Sequence, residues 1–167
     1  RSSTQQILTN AGFIIEAESD IYVSVRFNSN ATNGGNQYHA GALVSKGDSG
    51  FGKRFRAGAL QNQTGSHLNF ASVMATENQT KVTFTLPNGV ESLFGKTGTF
   101  EVVLNYGQTY VVAAELNTNL SSSKEGIIGM LIESDKSIVV NSGSGTGSFT
   151  ADEGGQDYGI DQIVGRE

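Results

Sequence analysis

The sequence predicts an all-β fold, an antiparallel β-sandwich-like arrangement of about ten strands in one domain at residues 1–167. Two observations carry this prediction: apolar and polar residues alternate in several short segments, and turn-forming residues separate those segments. The composition agrees, because the 22 glycines and the many Ser, Thr and Asn residues disfavour helix interiors. A propeller or two packed sub-sandwiches are the alternative arrangements of the same strands.

Period-two alternation marks the individual strands. In residues 80–86, Val82, Phe84 and Leu86 share one face and the intervening threonines share the other, as a half-buried strand requires. The same alternation predicts further strands at residues 21–27, 68–74 and 100–104. We expect each of these strands to bury one face in the core.

Turn signals connect the strands. Asn105-Tyr106-Gly107 separates the strand at residues 100–104 from the apolar run at 109–115, and its Asn and Gly accept positive φ. We interpret this turn as a hairpin between two neighbouring strands. Two later apolar runs, GIIGMLIES and KSIVVNS, are separated by Ser134-Asp135-Lys136 and predict two central strands.

An internal repeat is expected from two segments, GFIIEAESDIYV at residues 12–23 and GMLIESDKSIVV at residues 129–140. Each copy predicts a strand, an acidic turn and a second strand. The chain would then be a fragment of a longer repetitive surface protein, with neighbouring β modules as partners. Identical residues lie at Gly12/Gly129, Ile15/Ile132, Glu16/Glu133 and Ile21/Ile138, among other positions.

Charge and hydropathy exclude two classes of partner. The net charge is -5, and the 11 Lys and Arg residues are scattered, whereas nucleic-acid binding needs a clustered basic face. No run approaches the roughly 20 apolar residues that cross a bilayer, so no membrane span is predicted. The low charged fraction, 16%, together with abundant Thr, Ser, Asn and Gly, favours an extracellular or cell-surface location.

The most suggestive catalytic motif is Gly47-Asp48-Ser49-Gly50, which matches the nucleophile segment of chymotrypsin-like serine proteases. His39 lies too close upstream for that arrangement, and the other triad elements are missing. We therefore interpret the motif as a glycine-rich turn capped by the Asp48 side chain. The sequence predicts no catalytic residue and no enzyme, with a hydrolase acting on polysaccharide or peptide as the alternative.

The metal-binding signals are weak. His39 and His67 lack the spacing of a zinc site. The carboxylates of Asp152, Asp157 and Asp161 are close enough along the chain to bind calcium, although their spacing matches no known calcium loop. Calcium is thus the one cofactor considered, and a solvated acidic loop is the alternative interpretation.

Three tyrosines, Tyr38, Tyr106 and Tyr158, are the predicted ligand-binding residues. Tyr106 and Tyr158 lie beside Gly or Asn and Tyr38 lies two residues after Asn36, all in expected loops, where an exposed ring could stack on a sugar. The alternative is that these rings attach loops to the sheet. A glycan or an extracellular matrix polymer is the expected partner, and a structural spacer without any ligand is a further alternative.

The sequence also resembles a known family. GFIIEAESDIYVSVRFNSN, AGALVSKGDSGFGKRFRAG, YVVAAE and GMLIESDKSIVVNSGS followed by YGIDQIV resemble the IgGFc-binding-protein N-terminal-like domain of large surface proteins from gliding Bacteroidota. The resemblance implies an extracellular, β-rich adhesin-type module. Antibody binding, after which the family is named, is not expected of this chain.

Overall fold

The all-β class is confirmed in the computed structural model, which describes residues 5–29, 39–63, 67–115, 124–148 and 157–167. These residues contain nine strands in place of the predicted ten or so, and every strand pair is antiparallel. The strands are β1 Ser24–Ser29, β2 His39–Val44, β3 Phe51–Arg56, β4 Leu68–Ala75, β5 Thr80–Thr85, β6 Thr99–Leu104, β7 Thr109–Glu115, β8 Leu131–Gly147 and β9 Asp157–Ile163.

Strand β8 is the centre of the larger sheet. It has 17 residues and pairs with β5 and β4 along one side and with β3 and β9 along the other. Ile132, for example, lies between Phe84 of β5 and Phe55 of β3. Strands β6 and β7 extend the sheet beyond β5 and β4. The seven strands form a nearly closed, barrel-like sheet, and β1 and β2 form a separate two-stranded sheet.

The turn at residues 105–108 does not make the predicted hairpin. Met74 of β4 pairs with Thr109 of β7, whereas Thr80 of β5 pairs with Leu104 of β6. The hairpin prediction is wrong because β6 and β7 pair with different strands and not with each other. The turn carries the chain from β6, which pairs with β5, to β7, which pairs with β4. These partner strands, and not the turn residues, set the direction of the chain after the turn.

The prediction of two strands around Ser134-Asp135-Lys136 is also wrong, because β8 runs through these residues. Asp135 Oδ1 accepts the backbone N–H of Lys81 at 2.8 Å, and the Ser134 hydroxyl donates to the carbonyl of Lys136 at 2.6 Å. These side chains bind backbone groups at the point along β8 where its neighbour on one side changes from β5 to β4. The acidic segment is therefore accommodated within a strand and does not reverse the chain.

The first segment of the expected repeat differs from the prediction. Residues 12–23 contain no strand, and β1 begins only at Ser24. Ile21 and Tyr22, which were expected within a strand, are exposed. A strand needs a ladder of hydrogen bonds to a neighbour, which β1 has with β2, whereas residues 12–23 belong to no such strand pair.

The core confirms the alternation in residues 80–86. Val82, Phe84 and Leu86 are buried, while the intervening threonines are partly exposed. Phe84 stacks on Phe100 with ring centroids 5.2 Å apart and makes a tilted contact with Tyr110 at 5.7 Å. Offset aromatic contacts of this kind add to the stabilisation from burial alone.

A buried asparagine fixes the approach to β8. Asn69 of β4 accepts the N–H of Ile127 through Oδ1 at 3.0 Å and donates through Nδ2 to the carbonyl of Glu125 at 2.7 Å. Gly126, between them, has a φ of 53°, and a Cβ there would overlap the Asn69 amide. The chain before β8 is thereby held against β4.

We predict that Tyr110 makes the protein less stable at alkaline pH. Burial raises the pKa of the Tyr110 phenol above the usual 10.0, so the folded chain keeps this proton at a pH where the unfolded chain has lost it. The contribution is complete below about pH 10 and is lost as the pH rises through the folded-state pKa. Urea unfolding between pH 8 and 11.5 should show a decline that Tyr110→Phe reduces. An unchanged decline in Tyr110→Phe would contradict this assignment.

Candidate functional site

Of the three tyrosines predicted to bind a ligand, Tyr106 is exposed on a turn between two strands. Tyr38 lies outside the described residues. Tyr158 is half-buried at the start of β9, where its Cβ lies 3.1 Å from the position that a Gly41 Cβ would take. Tyr106 is 53% exposed and lies between β6 and β7.

The predicted calcium residues are only partly within the described chain. Asp152 and the side chain of Asp157 lie outside it. Asp161 of β9 forms an ion pair with Lys46 at 3.3 Å. Across the described ranges, no three acidic or histidine side chains come together in a way that could hold a metal ion. Calcium binding by Asp152, Asp157 and Asp161 stays a prediction.

The protease-like motif forms a turn, as predicted. Gly47–Gly50 is a single 3₁₀ turn in which Asp48 and Ser49 are exposed. The turn is closed by the carbonyl oxygen of Asp48, which accepts the N–H of Phe51, and not by the expected Asp48 carboxylate. His67, in contrast, is buried, and its Nδ1 accepts the N–H of Gln63 at 3.1 Å.

Side-chain amides hold the turn that carries Tyr106. The N–H of Tyr106 donates to Asn78 Oδ1 at 3.1 Å. Asn105 Oδ1 accepts two bonds from Gln79, from the backbone N–H at 3.1 Å and from Nε2 at 3.0 Å. Gln108 Oε1 in turn accepts the N–H of Asn105 at 2.8 Å. We call these four residues, Asn78, Gln79, Asn105 and Gln108, the amide frame.

Backbone bonds attach the same turn to β4. Gly107 donates its N–H to the carbonyl of Ala75 at 2.9 Å, and Ala75 donates to the carbonyl of Gln108 at 3.1 Å. Gly107 has a φ of 73°, which glycine adopts without strain, while Gln79 has a φ of 55°, which is unusual for a residue with a side chain. Strained backbone of this kind persists only where surrounding contacts hold it, and it is common at ligand-binding sites.

Apolar side chains lie beside the turn. The Cδ1 atom of Ile14 is 3.8 Å from the position that a Gly107 Cβ would take. Ile14 is itself exposed, as is the preceding Phe13. Tyr106 thus stands on a surface with aromatic, apolar and amide groups, and each amide has more donors and acceptors than the bonds described use. Such a surface can stack on the apolar face of a sugar ring and hydrogen-bond its hydroxyls.

The sequence singles out Tyr106 as a candidate but does not single out the amide frame. The signal was present, since both Asn78-Gln79 and Asn105 to Gln108 are Asn and Gln pairs within turns. What the sequence did not reveal is that the two turns lie side by side. That neighbourhood follows from the pairing of β5 with β6 and of β4 with β7.

A comparison with protein-family models gives one match, to the family described as IgGFc binding protein, over residues 40–167. No curated protein and no solved structure matches the chain. Among the described residues, no helix is long and apolar enough to cross a membrane.

Proposed function

The chain belongs to the IgGFc-binding protein family, and from this we propose that it is an extracellular, non-catalytic adhesion module of a bacterial surface protein that binds glycan through the Tyr106 turn. The family match confirms the resemblance over residues 40–167. The family is a binding-type family and not a known enzyme family, and its domains are typically extracellular. The glycan ligand, the adhesive role and the setting in large Bacteroidota surface proteins are our proposal.

The observation that carries the proposal is an exposed aromatic ring on a preorganised turn. Tyr106 is bound through its backbone N–H by Asn78, so the ring is presented without first having to order the turn. Binding to a preorganised surface loses less conformational entropy than binding to a mobile loop. Tyrosine is also common among residues that dominate binding energy, because it offers a large apolar face and a hydroxyl.

The rival function is hydrolysis of a polysaccharide or peptide, which would need two cooperating carboxyl groups or an activated serine. On the outer face of the sheet, Glu101 pairs with Lys81 at 3.3 Å and Glu133 pairs with Arg54 at 3.4 Å. Each of these carboxylates is therefore engaged by a basic side chain, whereas hydrolysis needs two carboxyl groups that act together on one bond, which supports binding over hydrolysis.

We predict that Tyr106→Ala weakens glycan binding about five- to thirtyfold, because loss of a central aromatic contact costs on the order of 1–2 kcal/mol. The measurement is an array of mucin glycans and bacterial polysaccharides, read with the 167-residue chain in calcium and in EDTA. Immobilised IgG Fc provides a protein ligand for comparison. Phe94→Ala is the matched control, because Phe94 is exposed to a similar degree in another loop.

Two outcomes would contradict the binding site. If both variants bind as the wild type does, the contact lies elsewhere. If the wild type binds no glycan, the spacer interpretation is favoured instead. Dependence on calcium would support the metal prediction for Asp152, Asp157 and Asp161.

We also predict that Asn78→Ala weakens binding several-fold although the Tyr106 side chain is unchanged, since the N–H of Tyr106 loses its acceptor and the turn is held less firmly. Asn78→Asp is the control that keeps an acceptor oxygen at the same position. Because Asn78→Asp keeps the acceptor oxygen, its affinity for glycan should stay close to that of the wild type. Equal loss in both variants would show that Asn78 acts by contacting the ligand and not by holding the turn.

A further inference from the structure

Two segments with the same sequence pattern have opposite environments in this protein. Residues 12–23 align without a gap on residues 129–140, and five of the twelve positions, counting Val23/Val140, are identical. The second segment leads into and forms the first part of β8, at the centre of the sheet. The first is exposed at the corresponding positions: Phe13 91% against Met130 0%, Ile15 59% against Ile132 0%, Ile21 55% against Ile138 0% and Tyr22 76% against Val139 9%.

The strands that follow the two segments pair in the same way. β1 pairs with β2, and the second part of β8 pairs with β9, both antiparallel. When the alignment is continued along each strand, the pair Phe27–Gly41 corresponds to the pair Ser144–Gly159. Ser24–Val44 corresponds to Asn141–Gln162 in the same register. The shared register is a separate observation from the sequence match, because the register of a strand pair also depends on the segment that connects the two strands.

The two strand pairs also lie against each other through corresponding elements. A Cβ at Gly41 of β2 would lie 3.1 Å from the Cβ of Tyr158 and 3.2 Å from its carbonyl oxygen. Tyr158 directly precedes Gly159, which is the counterpart of Gly41. An approximate two-fold relation between two units brings corresponding elements into contact near the same position.

From these three observations we propose that residues 12–29 and β2 form the last strand pair of a second β unit with the plan of β3–β9, and that strands equivalent to β3, β4 and β5 pair with the exposed residues 12–23. The inference does not use the proposed glycan binding, although Ile14 beside the Tyr106 turn belongs to the same segment. It assigns an interaction surface to the most exposed apolar segment of the described chain.

The neighbours of β8 indicate the chemistry of this partner. Ile132 has Phe55 and Phe84 as cross-strand neighbours, so Ile15 should lie between two strands that each supply a large aromatic side chain. Ile138 has Gly52 and Ala75 beside it, which predicts small residues beside Ile21. A second copy of this chain does not fit, because its own β8 already occupies the corresponding position. The partner is a β unit that lacks its own final strand pair.

The first test transfers the sequence of residues 12–23 onto positions 129–140 of the full chain. Because the two segments are proposed to be equivalent, the chimera should unfold cooperatively with a midpoint within about 10 °C of the wild type. A chain with the same twelve residues shuffled is the control and should lose its cooperative transition. The double substitution Met130→Phe and Leu131→Ile, which leaves the polar residues 134–137 unchanged, should stay within about 5 °C.

The second test asks whether the exposed face is free in this chain. The combined substitution Phe13→Ser, Ile15→Ser, Ile21→Thr and Tyr22→Thr should leave the midpoint unchanged and reduce the binding of a hydrophobic dye. A fall of more than about 5 °C would show that the segment packs within the chain, and would overturn the proposal. The proposal is likewise overturned if the chimera and the double variant both behave like the shuffled control.

Discussion

Gly143→Ala is expected to lower the unfolding midpoint by about 10 °C, corresponding to about 3 kcal/mol, because no space exists for a methyl group at this point of β8. A Cβ on Gly143 would overlap the carbonyl oxygen of Gly159 and lie 2.7 Å from the Cα of Ile160. Both neighbours are backbone atoms of β9, so relief requires moving the strand and not merely rotating a side chain. Glycine within a strand commonly marks such a close approach of another backbone.

Gly145→Ala is the matched control in the same strand. A Cβ there would make an ordinary contact of 3.5 Å with Leu68 Cδ1. The added methyl group also reduces the conformational freedom of the unfolded chain, so this variant should be neutral or slightly more stable. Equal midpoints for the two variants in thermal unfolding followed by circular dichroism would contradict the packing of β9 on β8.

Phe84→Ala is expected to destabilise the protein by about 3–5 kcal/mol, the usual range for removing a fully buried aromatic ring. Phe84 is completely buried at the point where β5 lies beside β8, and it contacts the rings of Phe100 and Tyr110. The substitution leaves a cavity that backbone hydrogen bonding of the surrounding strands prevents from closing. Urea unfolding should show a lower midpoint with an unchanged slope.

Phe94→Ala makes the same chemical change in an exposed loop and should alter stability by less than about 0.5 kcal/mol. If the two substitutions have similar effects, Phe84 does not lie in the core. The alternation in residues 80–86, on which the fold prediction depends, would then be without support.

Strand existence could be predicted from the sequence because alternation is a local property. Val82, Phe84 and Leu86 show it within one segment, and their burial is confirmed. Strand partners could not be predicted, because pairing depends on residues far apart in the chain. For this reason the turn at residues 105–108 was correctly located but wrongly interpreted as a hairpin, and the polar segment at 134–136 was taken as a break in β8.

Among the residues at the Tyr106 turn, the sequence predicted one as a candidate binding residue. Tyr106 has a recognisable local signal, an aromatic residue between Asn and Gly. Asn78 contributes only through a contact across two neighbouring turns, which no local pattern reveals. The binding predictions for Tyr38 and Tyr158 and the calcium prediction for Asp152, Asp157 and Asp161 are still to be tested.

The most direct test of ligand binding at the Tyr106 turn is a titration of the isotope-labelled chain with released mucin O-glycans, followed by NMR of the backbone amides. The largest shift changes are expected at residues 78–79 and 105–108, and Tyr106→Ala should remove them. Changes concentrated instead in the depression lined by Pro87, Asn88, Glu91 and Thr97 would contradict binding at this turn. The absence of any change at millimolar glycan would contradict it as well.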